Sequence, residues 1–202
     1  MHTRSTMLPL DTLDKLYEIA EAQAGYFTTA QAAAAGVDRR RLAYFTAAGQ
    51  LQRIRRGIYR LTHFPRSRYE DLVIAWLETG PHSVISHDSA LTLYDLSDVL
   101  PASIHVTVPR TASRRRHGLR LHTNQIGPAD VTSYDGMQVT TVPRTIADVA
   151  LDGLSDEFVE QAACEAIQKG LTSTEDLLTE ADRRSQRLGQ MLRRVLAREG
   201  LL

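Results

Sequence analysis

The chain has one cysteine and no long apolar run, and each scarcity excludes a class of protein. With Cys164 alone, neither an internal disulfide framework nor a cysteine-based zinc finger can form. No apolar run approaches the roughly 18 residues that a membrane-spanning helix requires. The first residues lead into an acidic amphipathic stretch without the apolar core of a signal peptide. We therefore expect a soluble, cytoplasmic protein with no membrane partner.

The net charge of zero conceals alternating blocks of opposite sign. Residues 1–68 carry a net charge of +6, residues 69–98 carry −6, 99–129 carry +5, 130–182 carry −10, and the last twenty carry +5. Nearly all the positive charge is arginine, because only Lys15 and Lys169 are lysines. Arginine suits planar, bidentate contacts to phosphate and guanine. The basic blocks predict a polyanionic partner.

The first 65 residues show the element order of a winged helix-turn-helix. Apolar spacing, capping residues and glycine stops predict three helices at about 12–24, 29–36 and 39–48, followed by strands at 51–54 and 58–61. Thr28 or Thr29 can cap the second helix, and Asp38 can cap the third. Tyr26 and Phe27 predict only a brief extended link. We expect residues 1–65 to form a DNA-binding domain.

The remainder, residues 66–202, is expected to form a second domain of mixed α and β structure with a helical C-terminus. The boundary is placed at Pro65, which breaks the pattern just before the charge changes sign. The expected helices are at about 69–78, 87–94, 143–150, 155–169 and 174–198, and the expected strands are at about 104–108, 119–121 and 137–141. The fold class predicted for the whole chain is α+β.

The third predicted helix has the composition of a recognition helix. Asp38–Leu61 contains seven arginines and one acid. At about 100° per residue, Leu42 and Phe45 face the core, while Arg40 and Tyr44 lie on the opposite face and are expected to read the major groove. The other residues expected to contact DNA are Thr29, Arg39, Arg41, Arg53, Arg55 and Arg56. The arginines among them are expected to bind its phosphates. The alternative is that this face is merely solvated.

Four stretches resemble the AbiEi family of antitoxins and transcriptional regulators. They are Tyr26–Ala32 with Gly36 and Val37, Gly49–Leu61, Ser86–Leu91 and Val139–Asp148, so the resemblance extends over roughly residues 11–170. It implies an N-terminal winged helix that represses its own operon. It also implies a C-terminal antitoxin domain that counteracts a nucleotidyltransferase-like toxin of a type IV pair, without a stable complex between the two proteins.

A second basic segment lies between two predicted strands. It contains Arg110, Arg114, Arg115 and Arg116, and Arg120 follows it. This segment is either a second phosphate contact or an exposed loop.

Arg144, next to Pro143, has two possible roles. It either pairs with a neighbouring carboxylate within the fold or forms part of the antitoxin surface.

The sequence contains no pattern typical of an enzyme or of a metal site. The seven histidines form no compact ligand spacing, and His105 fits one polar position of an alternating strand. We expect no catalytic residue, no metal and no cofactor. Two alternatives to a DNA-binding antitoxin stay open, namely an interaction module on a winged-helix scaffold and, more distantly, a nuclease within residues 69–202.

A terminal apolar stripe at Leu188, Met191, Leu192 and Val195 predicts a helix that closes the core, pairs with a second copy or meets a partner.

Overall fold

The computed structural model describes residues 10–96, 101–112 and 116–202. These residues form two compact units. The first contains residues 10–80 and 135–137, and the second contains the remaining described residues. Each unit combines helices with a β-sheet, which confirms the predicted mixture of α and β structure. The expected boundary at residue 65 falls inside the first unit, because the helix Glu70–Thr79 contacts the strands of that unit.

The first unit follows the predicted order of elements. Its elements are helix α1 (Leu10–Glu21), strand β1 (Tyr26–Thr28), helices α2 (Thr29–Ala34) and α3 (Arg39–Ala47), strands β2 (Leu51–Arg55) and β3 (Ile58–Leu61), and helix α4 (Glu70–Thr79). Thr28 caps α2, since its hydroxyl accepts from the Gln31 amide while the Gln31 side chain accepts from the Thr28 amide. Asp38 caps α3 in the predicted manner. N-cap side chains from the preceding residues therefore define where both short helices begin.

A three-stranded antiparallel sheet holds the first unit together, in the order β1-β3-β2. Tyr26 and Phe27 were expected only as an extended link, but they pair with Arg60 and Tyr59 of β3. The core beneath the sheet is formed by side chains from α1 to α3 and the adjoining strands, namely Leu16, Ala20, Phe27, Ala32, Val37, Leu42, Phe45 and Leu51. Burial of one apolar face from each element stabilises this small unit.

The second unit contains a five-stranded mixed sheet in the order β6-β5-β4-β8-β7. The strands are β4 (Val84–Ile85), β5 (Ile104–Thr107), β6 (Leu119–His122), β7 (Val131–Tyr134) and β8 (Met137–Thr140). β5 pairs with β6 in parallel, β4 pairs with β8 in parallel, and β4 pairs with β5 antiparallel. Sequence periodicity missed β4 and β7. Two residues are too few to show an alternation, and β7 carries a polar Thr-Ser pair at its centre.

Five helices complete the second unit: α5 (His87–Leu93), α6 (Val142–Leu151), α7 (Asp156–Gln168), α8 (Thr174–Arg184) and α9 (Gln186–Arg198). The single helix expected at 174–198 was wrong, because the chain leaves helical geometry at Ser185, which caps α9. Leu188, Leu192 and Val195 are buried, and Met191 packs against the core. Among its three possible roles, the terminal stripe thus closes the core. None of the described helices is long and apolar enough to cross a membrane.

Arg144 lies at the centre of the second unit, and the structural interpretation of this residue is confirmed. Its side chain is fully buried and donates to Asp148 at 2.8 Å and to Asp130 at 2.9 Å. It also donates to the Gln125 carbonyl at 3.1 Å. Arg183 donates to the other oxygen of Asp130. Because Arg144 is inaccessible, it cannot form part of an antitoxin surface.

Candidate nucleic-acid interface

Helix α3 presents the face that its sequence predicted. Leu42 and Phe45 are buried in the first unit, and Arg40, Tyr44 and Ala47 are exposed on the other side. The Tyr44 side chain is 69% exposed, while its ring meets the edge of Phe45 in a T-shaped contact at 5.5 Å between centroids. The Tyr44 ring thus packs against Phe45, while most of the side chain is exposed to solvent.

The start of α3 is electrostatically unfavourable for a free helix. Arg39, Arg40 and Arg41 fill its first turn, which contains no acidic residue. The first turn is the positive end of the helix dipole, where a cation costs about 0.3–1 kcal/mol. Asp38 precedes them, and its carboxylate accepts from the Arg41 amide at 2.8 Å. An anion bound at this turn would relieve the repulsion and would also meet the helix N-terminus.

Four arginines of α3 and of the β2–β3 hairpin remain available for such an anion. In the part of the chain that the structure describes, no hydrogen bond or ion pair engages the side chains of Arg39, Arg40, Arg53 and Arg56, and all four are exposed. Binding phosphate costs such arginines little free energy, because they exchange only water, and no internal partner, for the phosphate oxygens.

The β2–β3 turn is tied to the start of α2. Gly57 adopts φ +84°, a left-handed conformation that favours glycine. Its carbonyl accepts from the Thr29 amide at 2.8 Å and from the Thr29 hydroxyl at 3.2 Å. A hydroxyl carries one hydrogen, so Thr29 has none left for a phosphate in this arrangement. Thr29 thus anchors the arginine-rich turn, and its contact with DNA stays a prediction.

Two of the arginines expected at phosphates have internal partners. Arg41 donates to the Gly36 carbonyl at 3.0 Å, beyond the C-terminal end of α2. Arg55 pairs with Glu78 of α4 at 3.1 Å, although its side chain is still 53% exposed. Arg60 is buried, donates to the Phe64 carbonyl, and lies 5.8 Å from the centroid of the Tyr26 ring. The arginine-rich stretch thus contains both available and structural arginines.

The second basic segment is only partly described. Arg114 and Arg115 lie outside the described residues. Arg110 is in a short 3₁₀ helix, Arg110–Ala112, and both Arg110 and Arg116 have interactions within the protein. Arg120, on β6, pairs with Asp152 at 3.0 Å. A role for this segment at a second phosphate therefore stays a prediction.

Sequence spacing missed a histidine cluster in the second unit. His105 was expected at a polar position of a strand, but it is 3% exposed and lies close to His87 and His122. Burial lowers the pKa of His87 to about 3 and that of His122 to about 4. Burial also lowers the pKa of His105, although nearby Asp88 opposes that shift. All three rings are thus neutral at neutral pH.

Ser86 lies in the same region, and a remote side chain engages its hydroxyl. It occupies the N-cap position of α5, but its hydroxyl makes no cap hydrogen bond. It accepts instead from the Thr107 hydroxyl at 2.8 Å, and it contacts Nδ1 of His87 at 3.0 Å. The Ser86 hydroxyl thus bonds Thr107, 21 residues away, in place of the start of its own helix.

The first unit is therefore a helix-and-hairpin module with unengaged arginines, a chemistry that suits a protein binding a polyanion. Residues 14–62, which make up most of this module, match the family model described as "Transcriptional regulator, AbiEi antitoxin". The resemblance to AbiEi regulators is confirmed over this segment. A comparison with curated protein sequences finds no match. The match ends at residue 62, so the resemblance between residues 63 and 170 stays a prediction.

Proposed function

We propose that this protein is a sequence-specific DNA-binding repressor of its own operon that also acts as the antitoxin to a nucleotidyltransferase-like toxin. In this proposal α2 and α3 form a helix-turn-helix, and the β2–β3 hairpin is the wing. The match of residues 14–62 to AbiEi regulators supports the assignment. The toxin, the type IV class of the pair and a cytoplasmic location rest on the AbiEi resemblance.

The observation that carries the DNA-binding half is the first turn of α3. Three arginines crowd the positive end of a helix whose first turn has no acid, and two of them, Arg39 and Arg40, have no partner among the described residues. Side chains that disfavour the free fold are typical of functional sites, where a ligand compensates their cost. The ligand with the matching charge is the DNA backbone.

We assign the individual side chains by their exposure and partners. Arg40 and Tyr44 face away from the core and are proposed to read base edges in the major groove. Arg39, Arg53 and Arg56 are proposed to neutralise phosphates. Arg41 and Arg55 would do so more weakly, because each would have to share or leave an internal partner.

The first experiment is fluorescence anisotropy of the full chain on a duplex from its own upstream region, compared with a scrambled duplex over a salt series. We expect preference for the native duplex and a log–log salt slope that corresponds to several phosphates. Arg40→Ala should reduce discrimination by about 1–3 kcal/mol, whereas Arg56→Ala should weaken both duplexes alike and lower the salt slope by about 1.

The matched control for these variants is Arg187→Ala, since Arg187 is an exposed arginine outside the proposed interface. Its affinity should equal that of the wild-type chain. Equal, weak and salt-sensitive binding of both duplexes by the wild-type chain would contradict the repressor. It would favour an interaction module built on a winged-helix scaffold, for which the engagement of Arg41 and Arg55 by internal partners is the supporting observation.

The antitoxin half needs a separate assay, because it rests on the family resemblance. The chain is co-expressed with a nucleotidyltransferase-like protein encoded beside it, and growth is measured. We expect growth to be restored by the wild-type chain and also by an Arg39→Ala/Arg40→Ala variant that no longer represses. Failure of the wild-type chain to restore growth would contradict the antitoxin role and leave the DNA-binding role untouched.

A further inference from the structure

Three side chains from three separate elements meet at the β6 edge of the second sheet. His105 comes from β5, His122 from the last residue of β6, and Asp152 from the residue that ends α6. One ligand atom from each of them lies within 4.8 Å of the other two. Imidazole nitrogens and carboxylate oxygens are the ligands that zinc takes besides thiolates. We propose that His105, His122 and Asp152 form a Zn²⁺-binding site.

Strand register brings the two histidines together. Thr107 of β5 pairs with His122 of β6, and His105 lies two residues before Thr107 on the same strand. Side chains two residues apart share a face of a sheet, so both imidazoles project on one side. The two positions are separated by 17 residues in sequence, which is why spacing along the chain did not reveal them.

The separation between the two rings fits a shared metal ion. Nε2 of His122 and Nδ1 of His105 are 3.4 Å apart. Two nitrogens bound to one tetrahedral zinc ion, each at 2.0–2.1 Å, lie about 3.3 Å apart. The rings could therefore bind an ion with little movement. A hydrogen bond between neutral rings also suits this distance, so the test requires a direct metal measurement.

The surroundings of the two rings resemble the outer shell of known metal sites. Nε2 of His105, on the far side of its ring, lies 3.6 Å from a carboxylate oxygen of Asp88. A carboxylate at the far nitrogen commonly orients a metal-bound histidine and leaves its other nitrogen unprotonated for the metal. His87 stacks on His122 with 3.5 Å between ring centroids and an interplanar angle of 10°. This contact holds the plane of the His122 ring.

Arg120 competes with a metal ion for Asp152, the third proposed ligand. It pairs with Asp152 at 3.0 Å, and its side chain is half exposed. Zinc binding would require Asp152 to turn from the guanidinium or to share its oxygens. Removing the arginine charge should therefore strengthen binding, while a purely structural role of the cluster predicts no such gain. With three protein ligands, the fourth position of a tetrahedral ion would hold water.

The test begins with the metal content of the tag-free, full-length chain, followed by calorimetric titration of the chelator-treated protein with Zn²⁺. We expect one ion per chain and a melting temperature that rises with Zn²⁺ concentration. Asp152→Asn should weaken binding at least tenfold, His122→Gln should abolish it, and Arg120→Gln should strengthen it severalfold. His82→Gln, at an exposed histidine outside the cluster, is the matched control and should bind like the wild-type chain.

Substitution of Co²⁺ for Zn²⁺ gives a second readout, since the visible absorption of bound cobalt reports its coordination geometry. Asp152 is partly exposed, so Asp152→Asn should keep its fold, and circular dichroism verifies this. Absence of stoichiometric binding by the wild-type chain would overturn the proposal. Binding that stays unchanged in folded Asp152→Asn and His122→Gln variants would overturn it as well. The titration contains no DNA, so its outcome is independent of the proposed repressor function.

Discussion

The two units of this protein differ in how far their arginines are engaged by internal partners. On α3 and the β2–β3 turn, Arg39, Arg40 and Arg56 are exposed and have no partner among the described residues. In the second unit, Arg144 is buried between two aspartates, and even the exposed Arg198 pairs with Glu160. The first unit thus leaves several arginines available for an anionic ligand, although Arg60 is buried in its fold, whereas arginines of the second unit hold the fold together.

The distribution of acids along the chain explains this contrast. Residues 1–68 contain more than twice as many basic as acidic residues, so few carboxylates in this stretch can pair with its arginines. Residues 130–182 have a net charge of −10, and their carboxylates surround the arginines of α6, α8 and α9. A local charge imbalance therefore separates the arginines without internal partners from the structural ones better than arginine content does.

The largest effect that tests this comparison is expected for Arg144→Met. The substitution leaves Asp148 buried without its guanidinium partner and removes one of the arginines that pair with buried Asp130, which should cost about 3–5 kcal/mol of unfolding free energy. Differential scanning calorimetry of the full chain measures this as a fall in Tm of about 10 °C. Arg187→Ala removes an exposed arginine of the same unit and should change stability by less than about 0.5 kcal/mol. A loss below about 1 kcal/mol for Arg144→Met would show that the buried pair is not required.

A second effect is the acid sensitivity of the histidine cluster. Burial lowers the pKa of His87 in the folded state to about 3, while an unfolded histidine titrates near 6.5. Between these values the unfolded state binds the extra proton, so stability is complete above pH 6.5 and falls as the pH drops. At pH 5 a histidine that stays neutral in the fold costs about 2 kcal/mol.

His87→Asn isolates this contribution. Asparagine tolerates the positive φ of +52° at this position and does not titrate. With a chelator present, the variant should lose less stability than the wild-type chain between pH 7 and pH 5 in urea unfolding. Equal pH dependence of the two proteins would assign the acid sensitivity to other groups.

A smaller effect is expected at the start of α3, where Arg39→Ala should stabilise the protein. Removing one cation from the positive end of the helix should gain about 0.3–1 kcal/mol at low ionic strength. Alanine also has a higher helix propensity, and this gain does not depend on salt. Thermal unfolding at low and high salt separates the two contributions. A gain that is identical at both salt concentrations would contradict the dipole argument, while DNA affinity should fall in either case.

The smallest effect concerns the ion pair between Arg55, the last residue of β2, and Glu78. Glu78→Gln should release Arg55 for a phosphate, which would steepen the salt slope of DNA binding by at most about 0.9 and raise affinity about threefold. The Arg55→Ala/Glu78→Gln double variant is the control and should bind like Arg55→Ala alone. If Glu78→Gln raises affinity equally when Arg55 is absent, the gain comes from the lost negative charge and not from the freed arginine.

Sequence reasoning was most accurate where the determining signals are local. The predicted limits of α3, β2 and β3 agree with the structure to within one residue, because an aspartate cap, glycine stops and apolar spacing act over a few positions. It failed where partners are remote. Glu78 is 23 residues from Arg55, and Gly57 is 28 residues from Thr29. Neither pairing can be predicted from the spacing of residue types along the chain.

The sequence by itself determined the charge blocks, the caps, the buried face of α3 and the AbiEi resemblance of the first unit. Only the tertiary structure decided which arginines have internal partners, that Thr29 holds the turn, and that His105 is buried beside His122. The physical reason is that capping and apolar periodicity depend on neighbours within one or two turns. Ion pairs, strand register and ligand clusters depend instead on residues that the chain brings together only when it folds.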